Sequence, residues 1–255
     1  MPKRPWVGTS WKMNKTLAEA DAFCAALKAS PLAAGEKAQL FVIPPFTALS
    51  RVAESLSGSG VVVGAQNAHW EDAGAWTGEI SPLQVKDAGG RLVEIGHSER
   101  RTHFGETDAT VALRTAAAVR NGLVALVCIG DTAEEFAGGH TAAALKRQTE
   151  AALSKVDWTL PGATVILAYE PVWSIGEGGT PAEPGFADER HAEIKALTES
   201  LLGRSLPVLY GGSVNPGNAV DLATRPHIDG LFIGRSAWQP EGYLGIVADV
   251  VAALG

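Results

Sequence analysis

Short apolar, β-prone runs recur along the chain at Pro5–Ser10, Gln39–Ile43, Val61–Gly64, Leu92–Ile95, Leu123–Ile129, Thr164–Ala168, Pro207–Tyr210 and Gly230–Ile233. Between them lie segments with helical composition and spacing: Leu17–Leu27, Ala109–Arg120, Ala142–Leu153, Asp188–Leu202 and Ala219–Ala223. Strands that alternate with helical stretches build a parallel sheet, because each crossover lays a helix on the sheet face. Eight such units favour closure into a barrel over an open sheet. The expected fold class is therefore α/β: a single-domain (β/α)8 barrel over residues 1–255, with a parallel eight-stranded barrel inside and helices outside. The helical pattern is weakest after the second, third and fourth strands. The connection Ala65–Pro82 has little helical pattern at all, yet carries Trp70 and Trp76. Long loops in compact domains are usually functional, and exposed aromatic residues are typical interface anchors. This one reads as a dimer contact, the alternative being a loop folded over its own barrel.

Composition changes the picture only at the margins. The 255 residues suit one large domain of this kind, and 46% apolar against 19% charged residues is ample for a core. A net charge of −7 argues against nucleic acid or an anionic membrane surface as partner, so an anionic ligand has to be held by a local cluster of donors. Cys24 and Cys128 fall in a helical and a strand segment, with no disulfide pattern, and the cytoplasm is the expected compartment. Residues 1–9 contain no apolar run of signal-peptide character, and no later run is long enough to span a bilayer.

Polar groups collect where the strands end. The first strand runs into Ser10-Trp11-Lys12 and the fourth into Gly96-His97-Ser98-Glu99-Arg100-Arg101. The sixth delivers Glu170-Pro171-Val172-Trp173, followed by the glycine-rich stretch Ser174-Ile175-Gly176-Glu177-Gly178-Gly179, which reads as a lid. The seventh and eighth end in Gly211-Gly212-Ser213 and Gly234-Arg235-Ser236, small-residue turns that present backbone amides to a phosphate. Judged singly, Lys12 reads as a surface cation and His97 as a hydrogen-bonded structural group. Five strand ends with such elements on one rim form the constellation that barrel enzymes use. The six histidines lack paired ligand spacing, so no metal and no cofactor is expected. Cys128, inside an apolar run, is a poor nucleophile candidate.

A carboxylate, an imidazole, a cation and a phosphate site suit removal of a proton beside a carbonyl and its return to the adjacent carbon. Glu170 is the candidate base, and His97 and Lys12 are candidates to stabilise charge on the oxygens of an enediolate.

These residues resemble the triosephosphate isomerase family, whose fold is the TIM barrel. The resemblance covers nearly the whole chain, through WKMN at 11–14, GAQN at 64–67, WTGEISP at 76–82, IGHSERR at 95–101, CIG at 128–130, AYEPVW at 168–173 and YGGSVNP at 210–216. It implies Lys12 as the electrostatic contact, neutral His97 as the electrophile and Glu170 as the base. Gly176, Ser213, Gly234 and the amide of Arg235 follow as phosphate contacts, and Glu99 and Ser98 as supporting residues. It further implies a homodimer in which Trp76 and Thr77 lie on the contact loop.

The departures point to the substrate. The family pattern has Asn where this chain has Ser10, a second Gly where it has Arg235, and IGTGK where it has Ile175-Gly176-Glu177-Gly178-Gly179. With GTSWKMN and GLFIGRSAW the chain is similar to the L-erythrulose-1-phosphate isomerases of that family, which act in tetritol catabolism. The expected reaction is L-erythrulose 1-phosphate to D-erythrulose 4-phosphate, with Ser10 in the substrate site making room at the reacting end. The nearest alternative is the interconversion of dihydroxyacetone phosphate and glyceraldehyde 3-phosphate in glycolysis. A non-catalytic phosphate-binding barrel is a third reading, with little chemical reason to keep Lys12, His97 and Glu170 together.

Overall fold

The computed structural model describes residues 4–175 and 179–255. Eight parallel strands close in sequence order, β8 pairing back onto β1. They are β1 Trp6–Ser10, β2 Gln39–Ile43, β3 Val62–Ala65, β4 Leu92–Ile95, β5 Val124–Ile129, β6 Val165–Tyr169, β7 Val208–Tyr210 and β8 Gly230–Ile233. The α-helices are α1 Leu17–Ala29, α2 Leu49–Ser55, α3 Pro82–Asp87, α4 Ser98–Phe104 and α5 Asp108–Arg120. They continue with α6 Ala133–Ala137, α7 Thr141–Leu153, α8 Pro184–Leu202, α9 Ala219–Thr224 and α10 Pro240–Leu254. None is long and apolar enough to cross a membrane, among the described residues.

Two apolar layers hold the barrel. Phe41, Ile43, Leu92, Leu126, Cys128, Ile166, Ala168, Leu209 and Phe232 form one buried cluster, and the alternate strand residues Val42, Val93, Ile95, Val127, Leu167 and Val208 belong to the other. This alternation is the pleat: the first set fills the barrel and the second packs under the helices. Small residues make room for large ones inside, since a Cβ on Gly8 would run into the Phe41 ring. Each fully buried Leu, Ile or Phe contributes roughly 1.5–3 kcal/mol of transfer free energy.

Several boundaries differ from the sequence reading for local reasons. β3 and β6 each lie one residue later than their apolar runs, because Ala65 and Tyr169 complete ladders with Val93 and Tyr210. Helix α8 starts at Pro184 rather than Asp188, with the proline ring setting φ for the first turn. The helices after β2, β3 and β4 are seven, six and seven residues long, too short for a clear period. Helix α10 carries Gly242 and Gly245, which weaken its helical signature, although a Cβ at Gly242 would collide with the Ser236 carbonyl.

Residues 66–81 form the long irregular connection. Its base is tied to its own barrel. Arg114 on α5 donates to Asn67 Oδ1 at 2.9 Å and to the Ala68 carbonyl at 2.7 Å, and Arg120 reaches Asp72 at 3.0 Å. The His69 ring stacks on Trp70 and packs against Trp76, with centroids 4.2 and 4.4 Å away, while Trp76 keeps 48% of its surface exposed. Thr77 beside it is exposed.

Candidate active site

At the carboxyl ends of the strands lies a cleft of about 220 Å³. It is lined by Ser10 and Lys12 after β1, His97 after β4, Glu170 after β6, Ile175, Ser213 after β7, and Gly234 and Arg235 after β8. The turn residues Gly211, Gly212 and Asn215 and the ring of Trp238 complete the wall.

Lys12 is held in a left-handed backbone conformation, with φ of 52°. Such a conformation costs a non-glycine residue about 1–3 kcal/mol and needs support from its surroundings. Gln66 Nε2 supplies it by donating to the Lys12 carbonyl at 2.8 Å. The side chain runs to Glu99, Nζ to Oε1 at 2.6 Å. Partial burial works to raise the Glu99 carboxyl, but the hydrogen bond and charge of Lys12 overcome it and leave Glu99 below its ordinary range.

His97 caps α4. The Glu99 backbone N–H donates to His97 Nδ1 at 3.1 Å, so the ring proton of the neutral imidazole sits on Nε2. Nε2 faces Glu170 Oε2 across 3.7 Å. Burial is the main reason that the His97 pKa falls to about 4, and the nearby Lys12 charge adds to it. The preceding turn is braced by Arg101, which donates to the Gly96 carbonyl at 2.9 Å and to Asp108 at 2.7 Å.

Glu170 follows β6 directly and is 3% exposed, and its Oε2 has no hydrogen-bond partner among the described residues. Burial pushes its pKa well above the ordinary carboxylate range, the Glu94 carboxyl adds to the rise, and Lys12 opposes it. Close packing fixes its position. A Cβ on Gly211 would approach Glu170 Cγ to 2.7 Å, which is why this turn tolerates no side chain. Cys128 sits inside β5 next to Glu170, and burial together with Glu170 and Glu94 holds its thiol protonated.

Hydrogen bonds brace the turns after β7 and β8. Asn218 Nδ2 donates to the Ser213 carbonyl at 2.9 Å, and Asn215 N–H donates to Asn218 Oδ1 at 2.8 Å, fixing the turn after β7. Trp238 Nε1 donates to the Ser10 carbonyl at 3.0 Å and ties the turn after β8 to β1.

The segment that follows β6 is anchored by Asp131. Its carboxylate accepts from Thr141 Oγ1 at 2.7 Å, Tyr169 OH at 3.1 Å and Trp173 Nε1 at 3.2 Å. Trp173 stacks on Phe136 with ring centroids 4.3 Å apart. Ser174 is buried and donates to the Pro171 carbonyl at 2.8 Å. Gly179 packs against the Ser174 carbonyl so closely that a Cβ would not fit.

Of the residues singled out from sequence, Ser10, Lys12, His97, Glu170, Ile175, Ser213, Gly234 and Arg235 converge on the cleft. Ser98 lines a small cavity beside Glu170, and Glu99 sits outside the cleft wall against Lys12. Trp173, Ser174 and Gly179 lie in the segment after β6, while Trp76 and Thr77 lie on the long connection. Gly176, Glu177 and Gly178 fall outside the described residues. No group of three His, Cys, Asp or Glu side chains able to hold a metal occurs among the described residues.

Glu94 was missed. It is an inward residue of β4, 4% exposed, and its Oε2 accepts a hydrogen bond from Ser10 Oγ at 2.8 Å. The one available signal was a charged residue at a strand position whose neighbours Leu92, Val93 and Ile95 are all apolar.

The family model for triosephosphate isomerase matches residues 5–250. An L-erythrulose-1-phosphate isomerase from Brucella abortus biovar 1 (strain 9-941) is 59% identical over 243 residues, 95% of each chain. Another of that name from Rhizobium rhizogenes (strain K84) is 57% identical over 251 residues, 98% of this chain and 96% of its own. The crystal structure of triosephosphate isomerase from Bartonella henselae superposes with a TM-score of 0.85 at 36% identity, covering 96% of this chain and 98% of that one. On the barrel and on these matches, the chain belongs to the triosephosphate isomerase family.

Proposed function

We propose that this protein converts L-erythrulose 1-phosphate to D-erythrulose 4-phosphate through an enediolate, with Glu170 as the base. Membership of the family makes it a phosphosugar isomerase. The observation that carries the mechanism is the convergence of Glu170, His97 and Lys12 with the two backbone turns around one cleft.

The chemistry follows from the geometry. Amides of the turns at Ser213, Gly234 and Arg235 receive the phosphate, which the net charge of the chain would otherwise repel. Glu170, desolvated and aimed into the cleft, takes the proton from the carbon beside the carbonyl. The electron pair of that C–H bond forms the carbon–carbon double bond, and the carbonyl π pair moves onto oxygen. His97 Nε2–H and the Lys12 ammonium meet that charge. His97 passes a proton between the two oxygens, and Glu170 returns its proton to the former carbonyl carbon. A neutral imidazole suits this role, since its proton is closer in acidity to that of an enediol than an imidazolium proton is.

The substrate is read from Ser10. It lines the cleft where the family pattern has a larger amide, and the relatives at 57–59% identity carry the tetrulose-phosphate name. L-Erythrulose 1-phosphate differs from dihydroxyacetone phosphate by one hydroxymethyl group on the reacting carbon, and a smaller side chain leaves volume for it. Parallel measurement of kcat/KM for L-erythrulose 1-phosphate and glyceraldehyde 3-phosphate tests the reading. A higher value for the triose would make the protein a triosephosphate isomerase.

A homodimer belongs to the same reading. Exposed Met13, Phe46, Trp76, Leu83 and Phe104 all follow the carboxyl ends of the first four strands. Exposed apolar residues gathered on that half of the rim suit a second copy of the chain. Sedimentation should give a dimer that Trp76→Glu weakens.

A further inference from the structure

Where the cleft meets the barrel interior, two polar side chains that no step above uses come together, Ser10 in the cleft wall and Glu94 beneath it. Ser10 stands at the end of β1 and Glu94 on β4, three strands away, and the 2.8 Å hydrogen bond from Ser10 Oγ to Glu94 Oε2 reaches across the interior. Glu94 takes an inward slot of a layer otherwise built from Phe41, Ile43, Leu126, Cys128 and Phe232. A carboxyl group in such surroundings is costly, and replacement by an apolar residue would normally be neutral or stabilising. One hydroxyl donor also leaves most of its acceptor positions unfilled.

We propose that Glu94, together with Ser10, is the subsite for the terminal hydroxyl of a phosphorylated ketotetrose and so determines substrate specificity. The proposal rests on the tetrulose-phosphate reading of the cleft. With the phosphate at the turns after β7 and β8 and the reacting carbons between Glu170 and His97, the hydroxymethyl group extends away from the phosphate. Ser10 is the cleft-lining residue on that side whose hydroxyl leads to a buried acceptor. A triose phosphate has only hydrogen at that place and leaves the carboxyl group without its second donor. A site built to bind a substrate hydroxyl discriminates strongly against the analogue that lacks it, because buried polar groups are then left unpaired. Burial, partly offset by Ser10, pushes the Glu94 pKa up to about 7, so near neutrality the group can either accept from or donate to that hydroxyl.

The test is a cycle between substrate and protein. L-Erythrulose 1-phosphate and its 4-deoxy analogue, with a terminal methyl in place of the hydroxymethyl group, are assayed with the unsubstituted protein and with Glu94→Leu. Loss of the hydroxyl should lower kcat/KM by about 100-fold in the unsubstituted protein and by less than 5-fold in the variant. Glu94→Gln, which keeps the volume and one hydrogen-bonding oxygen, serves if the leucine variant does not fold, and it should show an intermediate ratio. Equal ratios in protein and variant would overturn the subsite while leaving the isomerase assignment intact. Absence of turnover of L-erythrulose 1-phosphate by the unsubstituted protein would overturn the proposed substrate, and the subsite with it.

Discussion

His97 Nε2 and Glu170 Oε2 face each other across 3.7 Å, too far for a hydrogen bond, and both line the same cleft. With Nδ1 accepting from the Glu99 amide, the imidazole directs its single proton into the cleft. Its lowered pKa, about 4, keeps it neutral through the physiological range. NMR of the imidazole nitrogens should show a neutral ring with the proton on Nε2 at pH 6. An ordinary titration near pH 6.5 would remove the neutral-electrophile role.

Glu170→Gln keeps the size of the side chain and abolishes its basicity. The variant should bind substrate within a few-fold of normal while kcat falls by about 1,000-fold or more, a loss confined to the transition state. Unchanged turnover would sink the base assignment.

Glu94 makes stability depend on pH in a calculable direction. Its pKa rises from 4.5 to about 7 in the folded chain, so the folded state holds the proton more tightly. The stabilisation is full below pH 4.5 and is lost as pH climbs through 7, a change of roughly 3 kcal/mol. Denaturant unfolding of Glu94→Gln should therefore lose less stability between pH 5 and pH 8 than the unsubstituted protein does. Parallel curves would show that the carboxyl group is not desolvated as described.

Ser10→Asn fills volume in the cleft and disrupts the bond to Glu94. The ratio of kcat/KM should shift by about 10-fold or more toward triose phosphate. No shift would remove Ser10 from the account of specificity.

Asp131 holds three donors, and Trp173 in the segment after β6 is one of them. Asp131→Ala strands buried donors and should cost about 1–3 kcal/mol of stability. With the segment after β6 loosened beside Glu170, kcat/KM should also fall by roughly 10-fold, with a red shift in tryptophan emission. Normal kinetics in a folded variant would separate the anchor from catalysis.

Much of the protein is legible in the sequence. The eight strands announce themselves because residues buried on both faces must be apolar in succession, and Lys12, His97 and Glu170 stand where those runs stop. Gly211 and Gly212 declare a close approach, and the structure supplies Glu170 against the first and Tyr210 and Ser174 against the second. The helices around α2 to α4 were faint because each is under two turns long.

The chain order by itself therefore determined the barrel, the rim and the class of chemistry, since each is written in local runs and in what ends them. Only the closed structure decided the electrostatics. Ser10 and Glu94 are 84 positions apart and become partners through the barrel interior. Glu94 raises the pKa of Glu170 and lies beneath the cleft only once β1 and β4 are curled around a common centre. Local pattern sees neighbours along a strand, whereas desolvation and charge coupling depend on distance through space.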